Sequence, residues 1–437
     1  TATANFTIAS DYVACSTNVV SPGTSGYTTI SITNTGTCNW SVPSGITKAD
    51  VLVVGAGGGG SGNYSATSGT LTSSAGAGGG GGVYAASNVS IAGTISITVG
   101  AGGTNGTGST SQSGRSGSRG GSSAFGTITA GGGGGGGCET AGSGNTCSTT
   151  SINGGDGTAA GNGGSPSNFF NAYSAGNPGT ASSATFGGST YNAVTGYRGG
   201  FFNDGGTSTG GSSGSGGGAG GAGNYNTRGA GVSSSISGSS VTYGAGGSSW
   251  NASTWAAVNP TANSGNGGNG AYDTTQAATG APGAAGIVII KYASIVSYSY
   301  DLNGGTNSGS ALTSGSGQGG VAFTTAASTN LSRTNYTFGG WCVSSSAPAA
   351  GATCASVSGT SLTANTSQTM PVSPSAITLY AVWNGASQTI TYANGGGTGS
   401  GPTSPSTVAY GSTFIVPANT FTRAGYQFSG WKDAGNN

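Results

Sequence analysis

The first fifty residues alternate apolar and polar positions, as in residues 27–33 (YTTISIT), with Ser, Thr, Gly and Asn between such runs. Alternation with a period of two is typical of a strand that buries one face. Residues 51–54 (VLVV) are continuously apolar, which predicts a strand buried on both faces. We therefore expect antiparallel strands over residues 1–50, packed on a domain that begins at residue 51.

Between residues 51 and 292 the chain is dominated by Gly, Ser, Ala, Thr and Asn, and short apolar runs recur within it. These runs are residues 95–99 (ISITV), 125–129 (FGTIT), 241–243 (VTY) and 287–290 (IVII). No window combines helical periodicity with good helix formers, so we expect essentially no α-helix here.

Two physical interpretations compete for this glycine-rich stretch. A flexible Gly/Ser linker would need no recurring apolar strands. The ordered alternative is a bundle of polyproline II-like chains, with three residues per turn, whose backbones hydrogen-bond to their neighbours at distances that only glycine permits. Residues 131–137 and 216–223 suit that packing. We favour the bundle, and we expect its Ala and Ser side chains at the surface or in shallow seams.

The composition supports an ordered, glycine-dependent structure. Glycine accounts for 95 of the 437 residues, whereas Lys and Arg number 9, Asp and Glu number 8, and the net charge is +1. A collagen helix is excluded because there are only 12 Pro and no Gly-X-Y register. Disorder usually accompanies high net charge, and here 18 Tyr, 12 Phe and 6 Trp are available for packing.

The same composition argues against several functions. Scattered Lys and Arg do not favour nucleic-acid binding, and no stretch reaches the roughly 20 apolar residues of a membrane span. The absence of His removes the usual general base and zinc ligand, so we expect no enzyme, no metal and no cofactor. Gly55, Gly57 and Gly60 match G-x-G-x-x-G, but no helix former or nearby carboxylate follows them. Structural calcium stays an open alternative at residues 154–157 (GGDG) and 203–206 (NDGG).

Six cysteines form three locally spaced pairs, Cys15 with Cys38, Cys138 with Cys147, and Cys342 with Cys354. An even count in such pairs fits disulfides in an oxidising compartment, while six free thiols in a cytosolic protein are the alternative. The chain begins at Thr1 with no apolar export segment, so either a signal peptide has been removed or the sequence is a fragment. We expect an extracellular protein, exported with its signal peptide removed.

After residue 292 the sequence becomes a repeat. Residues 300–306 (YDLNGGT) return at 392–398 (YANGGGT), and residues 333–341 (RTNYTFGGW) return at 423–431 (RAGYQFSGW). We place a first module at 293–385, closed by residues 377–383 (ITLYAVW), and an incomplete second module at 386–437. The second module has no closing strand before Asn437, so we expect either that the natural protein continues or that something else supplies the strand.

Two families resemble these regions. Residues 51–292 resemble the glycine-rich domain of bacterial surface proteins and phage tail-fibre adhesins. The resemblance rests on the order and spacing of five sequence landmarks: VLVVGAGGGG (51–60), ITVGAGG (97–103), SAFG (123–126), SGSSVTY (237–243) and GIVIIKY (286–292). The region from residue 294 is similar to the internalin-type B repeat, or Listeria-Bacteroides repeat. This resemblance implies small β-grasp-like modules in tandem on bacterial surfaces. The first copy departs from the family pattern by carrying Cys342 and Cys354 after its Gly-Trp, which suggests a loop stapled by a disulfide.

The expected fold is thus all-β, with a polyproline II-like glycine-rich domain, β-grasp-like repeats and almost no α-helix outside the repeats. Aromatic residues outside the framework strands are candidate contacts for sugars or for another subunit, unless they only fill gaps between glycine layers. They are Phe169, Phe170, Tyr173, Tyr197, Phe201, Phe202, Trp250 and Trp255.

Our leading hypothesis is a non-enzymatic bacterial surface protein, the structural subunit of a filament or stalk with an adhesive role. Its expected partners are other copies of the chain, joined by strand addition, and surface polysaccharide or other cell surfaces. A receptor- or glycan-binding adhesin tip is the alternative, and ice binding is a weaker one.

Overall fold

The computed structural model describes residues 14–20, 26–63, 75–108, 116–137, 184–186, 188–191, 215–223, 227–248, 259–271, 278–433 and 435. The chain divides into two compact units, Thr1–Ser294 and Ile295–Asn437. Within the described ranges it forms β-strands and no α-helix, and one 3-10 turn lies at Cys354–Val357. The all-β prediction is confirmed.

The first unit contains thirteen strands in the described residues. They are β1 Asn18–Val20, β2 Tyr27–Ile32, β3 Gly36–Ser41, β4 Lys48–Val54, β5 Val83–Ser90, β6 Thr94–Val99, β7 Ser123–Phe125, β8 Ile128–Ala130, β9 Ala184–Phe186, β10 Ser189–Tyr191, β11 Val232–Ser234, β12 Val241–Tyr243 and β13 Ile287–Ala293.

An antiparallel sheet of order β1-β2-β13-β4-β5 frames this unit. Alternate residues of β4 and β13 face opposite sides, and Val51–Val54 are all buried, as are Val288–Ile290. One face packs in a cluster with Ala219 and Tyr243, against which the β11–β12 hairpin lies. The two central strands are therefore covered on both sides, as the apolar run 51–54 predicts.

A second antiparallel sheet, of order β3-β6-β7-β8, contacts the first through β4 and β13. Trp40 of β3 lies between Phe125 and Tyr292, with ring centroids 6.4 Å from each. A disulfide from Cys15 to Cys38 joins residues 14–17 to β3. Residues 125–129 are not one strand, since a turn at Gly126, where φ is +57°, separates β7 from β8.

Glycine-rich runs extend from the ends of these strands and pack side by side. Residues 55–63, here called the central run, are buried throughout. Three antiparallel neighbours accept hydrogen bonds from the central run, and three parallel neighbours donate hydrogen bonds to it. The antiparallel neighbours are residues 75–82, 116–122 and 278–286, and the parallel neighbours are residues 100–108, 131–137 and 264–271.

The partner changes with every residue and returns after three. Gly58 N donates to Gly79 O, Gly59 N to Ser118 O, Gly60 N to Ala281 O, and Ser61 N to Gly76 O, with donor–acceptor distances of 2.9 Å throughout. A period of three is that of the polyproline II helix, which has no internal hydrogen bonds. The runs therefore form the lattice of polyproline II-like chains that the glycine content predicts, with the central run enclosed by six neighbours.

Close approach explains why the lattice needs glycine. A Cβ at Gly58 would overlap the carbonyl group of Gly134, and a Cβ at Gly60 would overlap that of Asn269. We expected alanines at the surface or in shallow seams, and the fully buried Ala56 and Ala75 do not fit that expectation. Ala219 is also fully buried, and it fills the seam between the lattice and the framework strands.

Asparagine side chains substitute for backbone acceptors at the border of the lattice. The amide oxygens of Asn266 and Asn269 accept hydrogen bonds from Ala245 N and Ser248 N, at 2.8 and 2.9 Å. Both the donors and the acceptors are three residues apart, which matches the period of the lattice. Because a buried peptide N–H must be paired, these two side chains continue the hydrogen bonding beyond the runs themselves.

The described residues of the second unit contain eleven strands. They are β14 Ile295–Asp301, β15 Thr306–Asn307, β16 Gly315–Gln318, β17 Ala322–Thr324, β18 Leu331–Ser332, β19 Tyr336–Val343, β20 Thr360–Leu362, β21 Ser367–Thr369, β22 Ala376–Gly385, β23 Ser387–Thr389 and β24 Thr407–Ala409.

Strands β14 to β22 form the first repeat, whose main sheet has the order β16-β14-β22-β19-β20. The first and last long strands, β14 and β22, are parallel and adjacent, whereas the other pairs are antiparallel. This mixed order agrees with the β-grasp-like module that the resemblance implies. Strand β22 is central, because it pairs with β14 on one side and with β19 on the other.

Two tryptophans anchor the core of the first repeat. Trp341 and Trp383 are fully buried, and their indole N–H groups donate to Ala326 O at 3.0 Å and Leu302 O at 2.8 Å. Burial of both the rings and their polar atoms is favourable because each N–H keeps a partner. The opposite face of β19 carries the disulfide between Cys342 and Cys354, both buried.

Candidate functional site

The second repeat begins in the same way as the first. Hairpin β23–β24 corresponds in the sequence to the β14–β16 pair, and its position beside the first repeat is fixed by several contacts. Tyr410 packs edge-on against Tyr336, with centroids 5.3 Å apart, and Ala386 N donates to Asn335 O at 2.8 Å. The duplicated sequence thus continues directly from the folded first repeat.

Arg423 repeats a local contact of the first module. Its guanidinium donates to Gly395 O at 3.2 Å and lies 4.1 Å from the ring centroid of Tyr426. The equivalent contacts of Arg333 are to Asn303 O at 2.6 Å and to the ring of Tyr336 at 4.9 Å. Asn303 and Gly395 both have a positive φ. Gly and Asn adopt this backbone conformation more readily than other residues do.

The aromatic centre is repeated as well. Trp431 lies 5.3 Å from Tyr392 between ring centroids, and its indole N–H donates to Pro417 O at 2.9 Å. Phe421 and Phe428 pack on the same indole, at 6.0 and 5.2 Å. In the first repeat the matching pair, Tyr300 and Trp341, is 4.7 Å apart. Burial raises the pKa of Tyr300, although the hydrogen bond from Ala326 N to its hydroxyl oxygen opposes that rise.

The two repeats differ at the position of β22. The described residues include no counterpart of β22 in the second repeat, and residues 390–394 and 426–432, which would flank it, lie outside strands. We call the space between these two segments the open strand position. In the first repeat one strand, β22, lies between β14 and β19.

Apolar exposure is concentrated in the second repeat. The large hydrophobic residues that the structure shows exposed all belong to the second repeat: Tyr410, Phe414, Ile415, Val416, Tyr426 and Phe428. Tyr426 is 69% exposed, whereas its counterpart Tyr336 is partly covered. Ile415, at 89%, lies within residues 413–415, the sequence counterpart of β17. An exposed apolar patch of this kind marks a surface suited to association.

The glycine lattice offers a second candidate surface at its end away from the framework sheets. Asn63 N donates to Ala278 O, and Ala75 N donates to Ala271 O, so several runs end together there. Residues 63, 75, 271 and 278 lie at this end, and the stretches 64–74 and 272–277 between them fall outside the described residues.

The eight candidate aromatic residues of the sequence analysis, Phe169, Phe170, Tyr173, Tyr197, Phe201, Phe202, Trp250 and Trp255, all lie outside the described residues, as do Cys138 and Cys147. The other two expected cysteine pairs are disulfides in the structure. The cluster around the open strand position was not among the predicted site residues. Aligning the two copies pairs the exposed Tyr426 and Phe428 with Tyr336 and Phe338, which are partly covered.

A backbone lattice framed by antiparallel sheets, followed by tandem β modules, defines a repeat-bearing protein of the surface type. A glycine-rich domain family model matches residues 32–293, more than half of the chain, so the chain belongs to the glycine-rich domain family. Residues 297–382 and 389–437 match the Listeria-Bacteroides repeat domain. Both resemblances are confirmed, and the two disulfides fit a surface-type protein.

No curated protein matches the chain significantly. In the part of the chain that the structure describes, no helix has the length and apolar character needed to cross a membrane.

Proposed function

We propose that the chain is a non-enzymatic bacterial protein, exported to the cell surface, that serves as a structural subunit of an extracellular filament or stalk with an adhesive role. The observation that carries this proposal is the apolar surface that the second repeat exposes, formed by Tyr410, Phe414, Ile415, Val416, Tyr426 and Phe428. Edge backbone groups next to exposed apolar residues are the physical basis of strand addition. A net charge of +1 adds little repulsion between copies.

Assembly of the purified chain tests this proposal. We expect the weight-average mass from light scattering to rise with protein concentration, and negative-stain images to show linear particles. A monodisperse monomer at every concentration would contradict it.

A chain extended after Asn437 by a second copy of residues 348–385 provides the decisive comparison, with the Cys354 of that copy changed to Ser. The extension supplies a β22 strand within the same molecule, so we expect a monomer. The matched control replaces Leu379 and Ala381 of the appended copy with Pro, which cannot complete the ladder, and should assemble like the parent. Equal assembly of both extended chains would count against strand addition.

An adhesin tip that binds receptors or glycans is the second candidate function. It is favoured by the aromatic residues in the sequence of segments 138–183 and 249–258, which lie outside the described residues. Aromatic faces stack on sugar rings. We expect binding on an array of surface polysaccharides that is lost in Trp250→Ala or Trp255→Ala but kept in Phe414→Ala. Unchanged binding in both tryptophan variants would oppose this function.

A further inference from the structure

One strand runs through both repeats. A single residue, Ala386, separates β22, which pairs with β19 of the first repeat, from β23, which pairs with β24 of the second. Ala386 N donates to Asn335 O at 2.8 Å, and Ala386 O accepts a hydrogen bond from Tyr410 N at 2.9 Å. In a flexible linker these backbone groups would bond to water instead. The two repeats are therefore joined by a shared strand.

The turn at residues 333–336 forms the surface against which the second repeat packs. Tyr336 N donates to Arg333 O at 3.0 Å, and Asn335 has a φ of +69°. The guanidinium of Arg333 lies 4.9 Å from the ring centroid of Tyr336, and Tyr410 packs edge-on against the same ring at 5.3 Å. Arg333 thus positions the ring that receives Tyr410. We call this turn, Ala386 and Tyr410 the joint.

The two repeats share the turn but differ at the residue that packs on it. Residues 423–426 form the same turn, in which Tyr426 N donates to Arg423 O at 3.2 Å. Gln318 holds the position of Tyr410 in the first repeat, by the alignment of their opening segments, and it is buried. The first repeat follows the glycine-rich domain, whereas the second follows another repeat. The aromatic residue therefore occurs in the repeat that has a repeat before it.

The joint also depends on one glycine. A Cβ at Gly385, the last residue of β22, would overlap the carbonyl group of Tyr410 and lie 3.0 Å from Tyr410 N. Because these atoms belong to the backbone, no side-chain rotation relieves the overlap. A methyl group at this position must therefore push the β23–β24 hairpin away from β22.

We infer that the turn at residues 333–336 is a docking site for the repeat that follows, and that the joint holds the two repeats as one stiff unit. The partner that fits this site is a hairpin that continues the last strand of the preceding repeat and carries an aromatic residue at its end, as Tyr410 does. The inference goes beyond the proposed function, because it concerns contacts within one chain. A chain that never assembles would contradict the proposed function and leave the joint intact.

A distance measurement across the joint tests the stiffness. Spin labels at Thr329→Cys and Thr403→Cys place one probe in each repeat, at exposed positions outside the joint. An excess of unlabelled chain removes distances between copies, and the chain without the added cysteines gives the labelling background. We expect one narrow distance distribution. A distribution as broad as that of a chain with two glycines inserted after Ala386 would overturn the inference.

Two variants should loosen the joint in opposite ways. Gly385→Ala adds a methyl group inside it, and Tyr410→Ala removes the docking ring, which shifts the equilibrium between docked and undocked repeats by up to about tenfold. Both should widen the distance distribution. Ser387→Ala, on the same strand, and Tyr426→Ala, at an exposed tyrosine outside the joint, are the matched controls and should keep it narrow. Equal widths in all four variants would contradict docking through Tyr410.

Hydrogen exchange at short labelling times separates undocking from unfolding of the second repeat. Thr398 N donates to Thr422 O at 2.7 Å, and Thr422 N donates to Thr398 O at 2.9 Å, so both amides report on that repeat. Their protection should be unchanged in Gly385→Ala and Tyr410→Ala. A distribution that widens only in variants that have lost this protection would overturn docking, because unfolding alone would explain it.

Discussion

The central run of the glycine-rich domain is enclosed by six backbones and carries almost no side-chain mass, whereas the first repeat is built around two buried tryptophans. The lattice distributes its stability over many hydrogen bonds, each worth about 1 kcal/mol net. The repeat concentrates its stability in a few apolar side chains, each worth about 1.5–3 kcal/mol. We therefore expect the lattice to be sensitive to added atoms and the repeat to be sensitive to removed ones.

The largest effect is expected in the lattice. Gly58→Ala should destabilise the first unit by about 5 kcal/mol or more, because the new methyl group would meet the backbone of Gly134 and not a movable side chain. Ala101→Val is the control, since it adds a larger group at an exposed position of a neighbouring run. Urea unfolding followed by circular dichroism measures both. Equal stability of the two variants would break the proposed contrast.

Trp383→Ala should destabilise the first repeat by about 4 kcal/mol and leave the lattice unchanged. Trp431→Ala in the second repeat should cost about 1 kcal/mol, because its ring is only partly covered. Hydrogen exchange of β14 and β19, compared with that of the central run, shows whether the loss of stability is confined to the repeats. Simultaneous loss of protection in both units would show that they unfold together.

Replacing Cys342 and Cys354 together with Ser should lower the stability of the first repeat by about 3 kcal/mol, since the bond closes a short loop between residues 12 positions apart. The Cys15–Cys38 bond, intact in this variant, serves as the internal control. Thermal unfolding in oxidising buffer gives the result. A change below about 1 kcal/mol would mean that packing alone holds this loop.

The smallest effect separates the two arginines. Arg333→Ala should cost about 1–2 kcal/mol, because its guanidinium is partly buried and bonded to Asn303 O. Arg423→Ala should stay within about 0.5 kcal/mol in the unassembled chain, because the same contact is exposed. Insertion of a strand beside Arg423 should raise the cost of Arg423→Ala towards that of Arg333→Ala. Denaturation at low and high protein concentration measures that change.

The sequence predicts the elements of the first unit better than their arrangement. Apolar runs 51–54 and 287–290 identify β4 and β13, and the glycine content identifies the lattice, since both depend on local pattern. Nothing local indicates that residues 55–63 take the central place, because that depends on where six distant runs lie. Residues 125–129 form one apolar run in the sequence but not one strand, because a turn at Gly126 folds the run back on itself.

The candidate site was predictable in part. The missing counterpart of residues 377–383 is visible when the repeats are aligned. The ring contact between Tyr392 and Trp431 could not be predicted from the sequence, because it depends on how side chains pack in the folded repeat.

The threefold hydrogen-bond period of the lattice sets a rule for how such a domain can change length during evolution. One polyproline II turn advances three residues and about 9 Å, and it restores every neighbour to the same direction. Insertions of three residues into each run preserve all the pairings, whereas a single inserted residue rotates the rest of the run by a third of a turn and misaligns its donors. Related domains should therefore vary in height by whole triplets, and a frame of three should align their runs.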